Sequence, residues 1–269
     1  MSPDIEIIGD GCAALSLAAR ASELSHNIRL IKPSNAPITN DHVWGFWSDP
    51  ILAPAQQLAR ATWQKWAIIT HNDCAVLSSE TRPYNAFKRS DWSKHCIGLA
   101  ELSKVTTIPE HEWEKSADSL LFDTRPPVVP NDCMLQHFQG IEVKSKQPCF
   151  DKDMAILMDF RVDQSKGMHF IYLLPYSATE ALVESTLFST ELVDEEFYST
   201  SIEGYLKEHC KVEEFSITHQ EKGVIPLGKL APHDAKIPGL GSNAGATRPA
   251  SGYAFLFIQR QIDAGISLA

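Results

Sequence analysis

The start of the chain alternates between short apolar runs and a stretch of small residues at helical spacing. The run IEIIG, which begins at Ile5, has the length of one buried strand. CAALSLAARASEL then predicts a closely packed helix, and NIRLIKP predicts a second strand. Together these segments predict a β-α-β unit. Further along, ADSLLFDTRPP predicts a strand that ends in a turn at Asp123.

The pattern changes between Met134 and Ile225, where strands are separated by turn residues. CMLQHFQGIEV, AILMDFRVDQ, MHFIYLLPYS and EALVESTLFS predict an antiparallel sheet, and YSTSIEGYLKEHC predicts an amphipathic helix at its edge. A helix over RSDWSKHCIGLAEL is expected to be capped by Ser90 or Asp91. We predict an α/β fold in which residues 1–125 and 226–269 form a nucleotide-binding lobe and residues 126–225 form an inserted antiparallel sheet for the substrate.

Composition and charge narrow the classes of function. The 269 residues are 43% hydrophobic and 22% charged, as in ordinary globular proteins, and no apolar run predicts a membrane-spanning helix. The net charge of −10 argues against nucleic acid and against a polybasic contact with anionic lipid, so any membrane contact is expected to be apolar. The six cysteines are widely spaced, with no C-x-x-C pair, which indicates reduced thiols and a cytoplasmic location.

The segment between the first strand and the first helix carries Gly9-x-Gly11-x-x-Ala14. In this position glycines let backbone N–H groups and a helix N-terminus approach a pyrophosphate, although a helix that only packs tightly gives the same pattern. Lys32 stands where an acidic residue would bind the ribose hydroxyls. A lysine there either contacts a phosphate or is exposed.

A second glycine-rich segment, GSNAGATRPASGY, lies near the end of the chain. Gly241, Gly245 and a helix beginning near Ser251 are predicted to face the rest of the same nucleotide; the alternative is a surface loop before a helix. We also expect Asp123, at the end of its strand, to contact the nucleotide.

Two acidic residues are candidates for proton chemistry. Glu184 follows the apolar run FIYLLPY, and Asp159 lies in LMDF. A carboxyl group surrounded by apolar side chains has a raised pKa and acts as a general acid near neutral pH, whereas an ordinary exposed carboxylate fits either position equally well. The histidines lack metal-ligand spacing and no G-x-S-x-G motif is present, so we expect neither a metal site nor serine catalysis.

The residues in several of these segments, taken together and in order, resemble the flavin-dependent lycopene cyclases of carotenoid biosynthesis. The resemblance is carried by IIGDGCAALSLA, DHVWGFWSD, FDTRP, QHFQGIEV, FDKDMAILMDFRVDQ, HFIYLLPYSATEALVESTLFS, EKGVIPL and ATRPASGYAF. It covers nearly the whole chain. It implies an FAD-binding, Rossmann-like fold of the glutathione-reductase and hydroxylase type, with a lobe for a carotenoid.

The resemblance also implies roles for residues. Glu184 matches the glutamate of the family's E-x-T motif, which is regarded as essential for cyclisation, and Asp159 matches the aspartate of its M-D motif. The implied reaction closes a β-ionone ring at the end of a linear, lycopene-like carotenoid without net redox change. FAD would act in its reduced form, NAD(P)H would keep it reduced, and contact with a membrane would be peripheral.

Two other functions stay open from the sequence. One is a redox flavoprotein, a reductase or hydroxylase that acts on an isoprenoid. The other is a non-catalytic relative that binds a carotenoid or a flavin, an alternative suggested by Lys32. The aromatic residues Trp44, Phe46 and Trp47 either line a substrate tunnel or pack in the core.

Overall fold

A computed structural model of the protein describes residues 5–35 and 41–268. Within these ranges the strands are β1 (Ile5–Ile8), β2 (Ile28–Lys32), β3 (Val43–Trp47), β4 (Ala61–Trp63), β5 (Lys65–Ile69), β6 (Cys74–Ser78), β7 (Tyr84–Lys88), β8 (Thr106–Pro109), β9 (Leu120–Asp123), β10 (Met134–Ser145), β11 (Met154–Asp159), β12 (Met168–Pro175), β13 (Glu180–Ser189) and β14 (Phe215–Leu227). The helices are α1 (Cys12–Ala18), α2 (Ala53–Gln57), α3 (Arg89–Leu102), α4 (Glu195–Glu208) and α5 (Phe255–Leu268), with 3₁₀ turns at Ala21–Glu23, Pro50–Leu52, Glu110–Glu112 and Gly241–Ala244.

Four strands form a parallel sheet in the order β8-β2-β1-β9. All four residues of β1 are buried, as expected for a parallel strand covered on both faces. Ser16 of α1 joins the helices, because its hydroxyl accepts hydrogen bonds from Trp92 of α3 at 3.0 Å and Gln259 of α5 at 2.9 Å. The predicted β-α-β unit is therefore present, and the two later helices pack on its helix.

The large sheet has seven strands in the order β14-β10-β13-β12-β11-β5-β6. Its pairs are antiparallel except β11 with β5, which is parallel. The predicted strands between residues 134 and 225 all belong to it. Two strands from residues 65–78, which the sequence placed in the nucleotide-binding lobe, extend this sheet as well. The division of the chain into two lobes stays a prediction.

Strand alternation gives this sheet two different faces. One face is covered by α4, which lies on the sheet and not at its edge as predicted: Ile171, Val183 and Ile141 of interior strands pack there against Ile202 and Leu206 of the helix. The opposite face packs through Leu174 and Leu182 against Trp63 and Tyr84 of the small sheet β3-β7-β4, and it also carries Tyr172 and Glu184, which line a cavity. This second face is the one that bears on function.

A cluster of aromatic rings fills the space beside the small sheet β3-β7-β4. Phe46 is buried and packs edge-on against Phe87 and Phe255, while Trp47 packs against Tyr84. Trp44 contacts Phe87 and Phe255 as well. Of the two alternatives left open for these three residues, core packing is the one observed, and Trp44 also lines a cavity.

The start of α3 differs from the prediction. Its N-cap is Lys88 without a capping side chain, so neither Ser90 nor Asp91 caps the helix. The reason is that Ser90 is bound by Asp41, whose carboxylate accepts the Ser90 N–H at 2.8 Å and its hydroxyl at 2.9 Å. Among the helices of residues 5–35 and 41–268, none is long and apolar enough to cross a membrane.

Candidate active site

A cavity of about 610 Å³ lies between the large sheet and the glycine-rich segments. It is bounded by residues of α1, β3, β7, β10, β12, β13, β14 and the segment that leads into α5. Polar and aromatic residues make up much of its lining, namely Cys12, Trp44, Tyr84, Phe138, Tyr172, Glu184, Ser242, Ser251, Tyr253 and Phe255. One cavity thus joins the beginning of the first helix, the second glycine segment and the predicted acid.

The first glycine segment leaves β1 beside β9. Gly9 has φ +129°, and a Cβ there would stand 2.0 Å from the hydroxyl of Thr124, so the fold itself requires this glycine. At Gly11 the backbone is extended, and a Cβ would meet no atom within 4 Å. Ala14 is fully buried in the packing of α1. The open space along this segment is therefore next to Gly11.

The second glycine segment packs onto the first. Gly241 has φ +72°, and a Cβ on it would lie 2.5 Å from that of Ala13, so glycine allows the 3₁₀ turn to approach α1. Gly245 has φ +76°, and the position of its Cβ is open. The helix begins at Phe255, four residues later than predicted, and Ser251 lies in the preceding turn, where it lines the cavity. The structure therefore brings both glycine segments together.

Lys32 and Asp123, the two nucleotide-binding candidates at strand ends, have different surroundings. Lys32 is exposed at the end of β2. Asp123 is fully buried, and its carboxylate is engaged by the N–H and guanidinium of Arg125 at 2.8–3.0 Å. A carboxylate that the sequence analysis missed lies at this edge of the sheet: Glu110, directly after β8, accepts the N–H of Ser34 at 3.0 Å. Only the parallel pairing of β2 with β8 reveals this neighbour.

Glu184 lies on the cavity face of β13, opposite Tyr172 of β12. Its side chain is 8% exposed, and one carboxyl oxygen accepts the Thr186 hydroxyl at 2.7 Å. Burial raises the pKa of Glu184 to about 7, against the lowering effect of hydrogen bonds from Thr186 and Glu221. A substantial fraction of Glu184 is therefore protonated near neutral pH, as a general acid requires.

A second glutamate, to which no sequence pattern assigned a role, lies on the same face as Glu184: Glu221 of β14 is 2% exposed, and both glutamates pair with Gly140 of β10. Burial and the neighbouring charge of Glu184 raise the pKa of Glu221 well above its usual value. The segment EKGVIPL, which contributes to the family resemblance, begins with this residue. Glu221 is buried next to Glu184 because strands that are far apart in sequence pair with each other, and no local sequence pattern indicates this position.

Asp159 does not lie near Glu184, because the two carboxyl groups are on opposite faces of the large sheet. It ends β11, pairs with Ile171 of β12, and faces α4 on the other side of the sheet. Arg161 binds both of its carboxyl oxygens at 2.6–3.1 Å, and the Tyr205 hydroxyl donates to it at 2.8 Å. Burial would raise the pKa of Asp159, but the hydrogen bonds from Arg161 and Tyr205 outweigh it and lower the pKa. This environment is that of a buried ion pair.

Three tyrosines surround the acid in the cavity. The hydroxyls of Tyr84 and Tyr253 are 3.1 Å apart, and Tyr172 lies opposite Glu184 on the next strand. Burial raises the pKa of Tyr84 and of Tyr172 well above 10. These rings are therefore neutral, and they present electron-rich faces and hydroxyl groups without adding charge.

Comparison with known proteins decides the family. The family model described as lycopene cyclase protein matches residues 4–268. The chain belongs to the lycopene cyclase family. The resemblance inferred from the sequence is confirmed.

Named members of the lycopene cyclase family show how much of the chain is shared. It is 30% identical over 297 residues to the lycopene beta-cyclase of Paracoccus sp., an alignment that covers 99% of this chain and 74% of that protein. It is 25% identical over 287 residues to the chloroplastic lycopene beta cyclase of Arabidopsis thaliana, covering 93% of this chain and 56% of the plant protein. The chain thus spans little more than half the length of the plant relative.

Solved structures similar to this lycopene cyclase family member show the fold. A geranylgeranyl bacteriochlorophyll reductase-like protein from Thermoplasma acidophilum superposes with a TM-score of 0.74 at 12% identity, covering 99% of this chain and 77% of that one. A flavin-dependent brominase gives 0.65 at 12% identity, covering 98% and 77%. An oxygenase of 2-methyl-3-hydroxypyridine-5-carboxylic acid gives 0.66 at 14% identity, covering 99% and 82%. The predicted α/β fold of the FAD-binding type is confirmed.

Proposed function

We propose that the protein is a flavin-dependent cyclase that closes a β-ionone ring at the end of a linear, lycopene-like carotenoid. The observation that carries this proposal is the position of Glu184. A carboxyl group with a pKa of about 7 faces an aromatic cavity that also reaches both glycine segments. An acid placed between an apolar substrate pocket and a cofactor cradle is suited to protonating an alkene in a dry environment.

The residues at the glycine segments fit FAD. The backbone beside Gly11 and Gly245 borders space that a Cβ would enter without meeting protein atoms, which is what close approach of a pyrophosphate requires. Gly9, Gly11, Ser242, Gly245 and Ser251 would hold the cofactor, with Lys32 and Glu110 at the edge of the sheet near its ribose. When bound and reduced, the flavin supplies negative charge that stabilises a carbocation nearby.

The chain's own side chains carry the proton chemistry. Glu184 donates a proton to the terminal double bond, the neighbouring double bond attacks the resulting cation and closes the ring, and the Glu184 carboxylate takes back a proton from a ring carbon. The faces of Tyr84, Tyr172 and Trp44 contribute cation-π stabilisation to the intermediate. Proton gain and loss cancel, so the product has the mass of the substrate.

Two further elements belong to the proposal. NAD(P)H keeps the flavin reduced, since the ring closure itself consumes no electrons. The substrate is a hydrocarbon that resides in lipid, so the protein contacts a membrane peripherally to obtain it. With a net charge of −10, that contact is apolar.

The test is anaerobic incubation of the flavin-loaded protein with NADPH and lycopene-containing membranes, followed by chromatography and mass spectrometry of the extract. The expected product is cyclised and unchanged in mass. A gain of hydrogen or of oxygen would instead show a reductase or a hydroxylase, and unchanged lycopene would favour a protein that only binds.

Matched variants of one strand locate the acid. Glu184→Gln is expected to abolish cyclisation, with flavin binding retained. Glu180→Gln makes the same change on β13, but Glu180 lies at the surface in an ion pair with Lys144, so it is expected to cyclise like the native protein. Normal turnover by Glu184→Gln would show that another group is the acid.

A further inference from the structure

Gly140 lets two buried glutamates meet on the cavity face of the large sheet. On β10 it pairs with Glu184 of β13 on one side and with Glu221 of β14 on the other. A Cβ at Gly140 would stand 3.3 Å from the Cβ of Glu184 and 3.1 Å from the Cγ of Glu221. The absence of a side chain at this position leaves room for the two carboxyl groups to interact above it.

The hydrogen bonds of Glu221 leave one oxygen for this interaction. Oε2 accepts the N–H of Val43 at 3.0 Å, whereas Oε1 is buried and no hydrogen-bond donor among the described residues reaches it. Two buried carboxylates that face each other cannot both be ionised, because like charges repel strongly where water is excluded. At least one proton therefore stays on the pair.

The two acids differ in access to the substrate. Glu184 lines the cavity, whereas Glu221 is not among the residues that line it and is 2% exposed. The acid that exchanges protons with a substrate is the one in the cavity. The deeper acid is then the one that keeps its proton while the other is ionised.

We propose that Glu221 stays protonated throughout the reaction and donates a hydrogen bond from its carboxyl O–H to Glu184 once Glu184 has protonated the substrate. This inference rests on the proposed function and adds a positioning residue to it. Glu184 loses its proton to the alkene carbon and later recovers one from a ring carbon. The proton of Glu221 stays on Glu221, so the proton balance closes between Glu184 and the substrate.

Other titratable groups surround the pair. They are Glu142 on β10, His219 on β14, Tyr84 on β7, Tyr172 on β12, Tyr176 just after β12, and Tyr253 before α5. Glu142 is paired with Arg60 and Lys88. His219 Nε2 lies 2.9 Å from the Asp41 carbonyl and 3.7 Å from Glu221. The carboxyl group that Glu221 faces without an intervening cation is therefore that of Glu184.

The experiment compares kcat against pH for the native holoenzyme, Glu221→Gln and Glu221→Leu. Native activity is expected to fall as the pH rises through about 7, because Glu184 must be protonated. Glutamine can accept the Val43 N–H and still donate to Glu184, so its activity should fall at the same pH. With leucine the Glu184 carboxylate loses its donor, and the fall should move up by about one pH unit, with a lower maximal rate.

Two results in these profiles would overturn the inference. If kcat falls at a lower pH in Glu221→Gln than in the native protein, Glu221 was ionised and its negative charge had been raising the pKa of Glu184. If kcat falls at the same pH in Glu221→Leu as in the native protein, the two carboxyl groups do not interact.

A second measurement needs neither substrate nor a stable leucine variant. Infrared titration of the native holoenzyme should retain the carbonyl band of a protonated carboxylic acid well above the pH at which Glu184 ionises, and Glu221→Gln should lack it. The absence of the band from the native protein would refute the role of Glu221. A native protein that shows the band but does not cyclise lycopene would instead contradict the proposed function.

Discussion

Two glycines separated by one residue illustrate how a motif can serve folding and binding at once. At Gly9 the positive φ and the nearby Thr124 hydroxyl exclude any side chain. At Gly11 the φ of −85° suits any residue, and the neighbouring space is empty of protein atoms. The structure therefore predicts opposite results for two small substitutions.

Gly9→Ala is expected to lower the free energy of unfolding by about 1–3 kcal/mol, because alanine is strained at this φ and meets Thr124. Gly11→Val should leave stability within about 0.5 kcal/mol. It should also weaken FAD binding by at least about 100-fold, because the new side chain occupies the space beside the cradle. Urea unfolding and FAD fluorescence titration measure the two effects. Native-like FAD affinity in Gly11→Val would place the pyrophosphate elsewhere.

Among the elements, α4 is held to the large sheet by a buried charge on the face away from the cavity. Tyr205 of this helix donates to Asp159, an ionised acceptor, whereas Tyr198 of the same helix bonds the imidazole of His137. Tyr205→Phe is expected to cost about 1.5–3 kcal/mol of stability, and Tyr198→Phe about 0.5–1.5 kcal/mol. Both should retain turnover, as measured by cyclisation assays beside urea unfolding.

The outcome for Tyr205→Phe also tests the role of Asp159 that the sequence suggested. If this variant lost cyclisation while keeping native stability, the Asp159 cluster would take part in the chemistry despite facing α4. If stability falls and turnover persists, Asp159 anchors the helix.

The same elements show what the sequence could predict. Local patterns sufficed for the β-α-β unit, for β10 to β13 and for α4, because apolar spacing and turn residues act over short distances. They could not show that β5 and β6 join the large sheet, nor that β10 aligns Gly140 between Glu184 and Glu221, since register between distant strands is set by the assembled sheet. Asp159 and Glu184 had equivalent apolar surroundings in sequence, and only strand pairing puts them on opposite faces.

For the whole molecule, buried acids decide how stability depends on pH. Glu184 and Glu221 have raised pKa values, so the folded chain holds protons that the unfolded chain releases, and stability falls as the pH rises above about 4.5. Asp159 has a lowered pKa, so its contribution is present above about 3.8 and is lost as the pH falls further. The protein is therefore expected to be most stable in mildly acidic solution.

Removing one buried acid should reduce the loss of stability that accompanies a rise in pH. A rise in the pKa of Glu184 from 4.5 to about 7 corresponds to roughly 3 kcal/mol at most. The stability of Glu184→Gln relative to the native protein should thus increase by up to about 3 kcal/mol between about pH 5 and pH 8 in urea unfolding. For Glu180→Gln, at the surface of the same strand, the free energy of unfolding should depend on pH nearly as it does in the native protein. If the free energy of unfolding of Glu184→Gln also depends on pH as in the native protein, Glu184 is ionised normally in the folded protein and cannot serve as the acid.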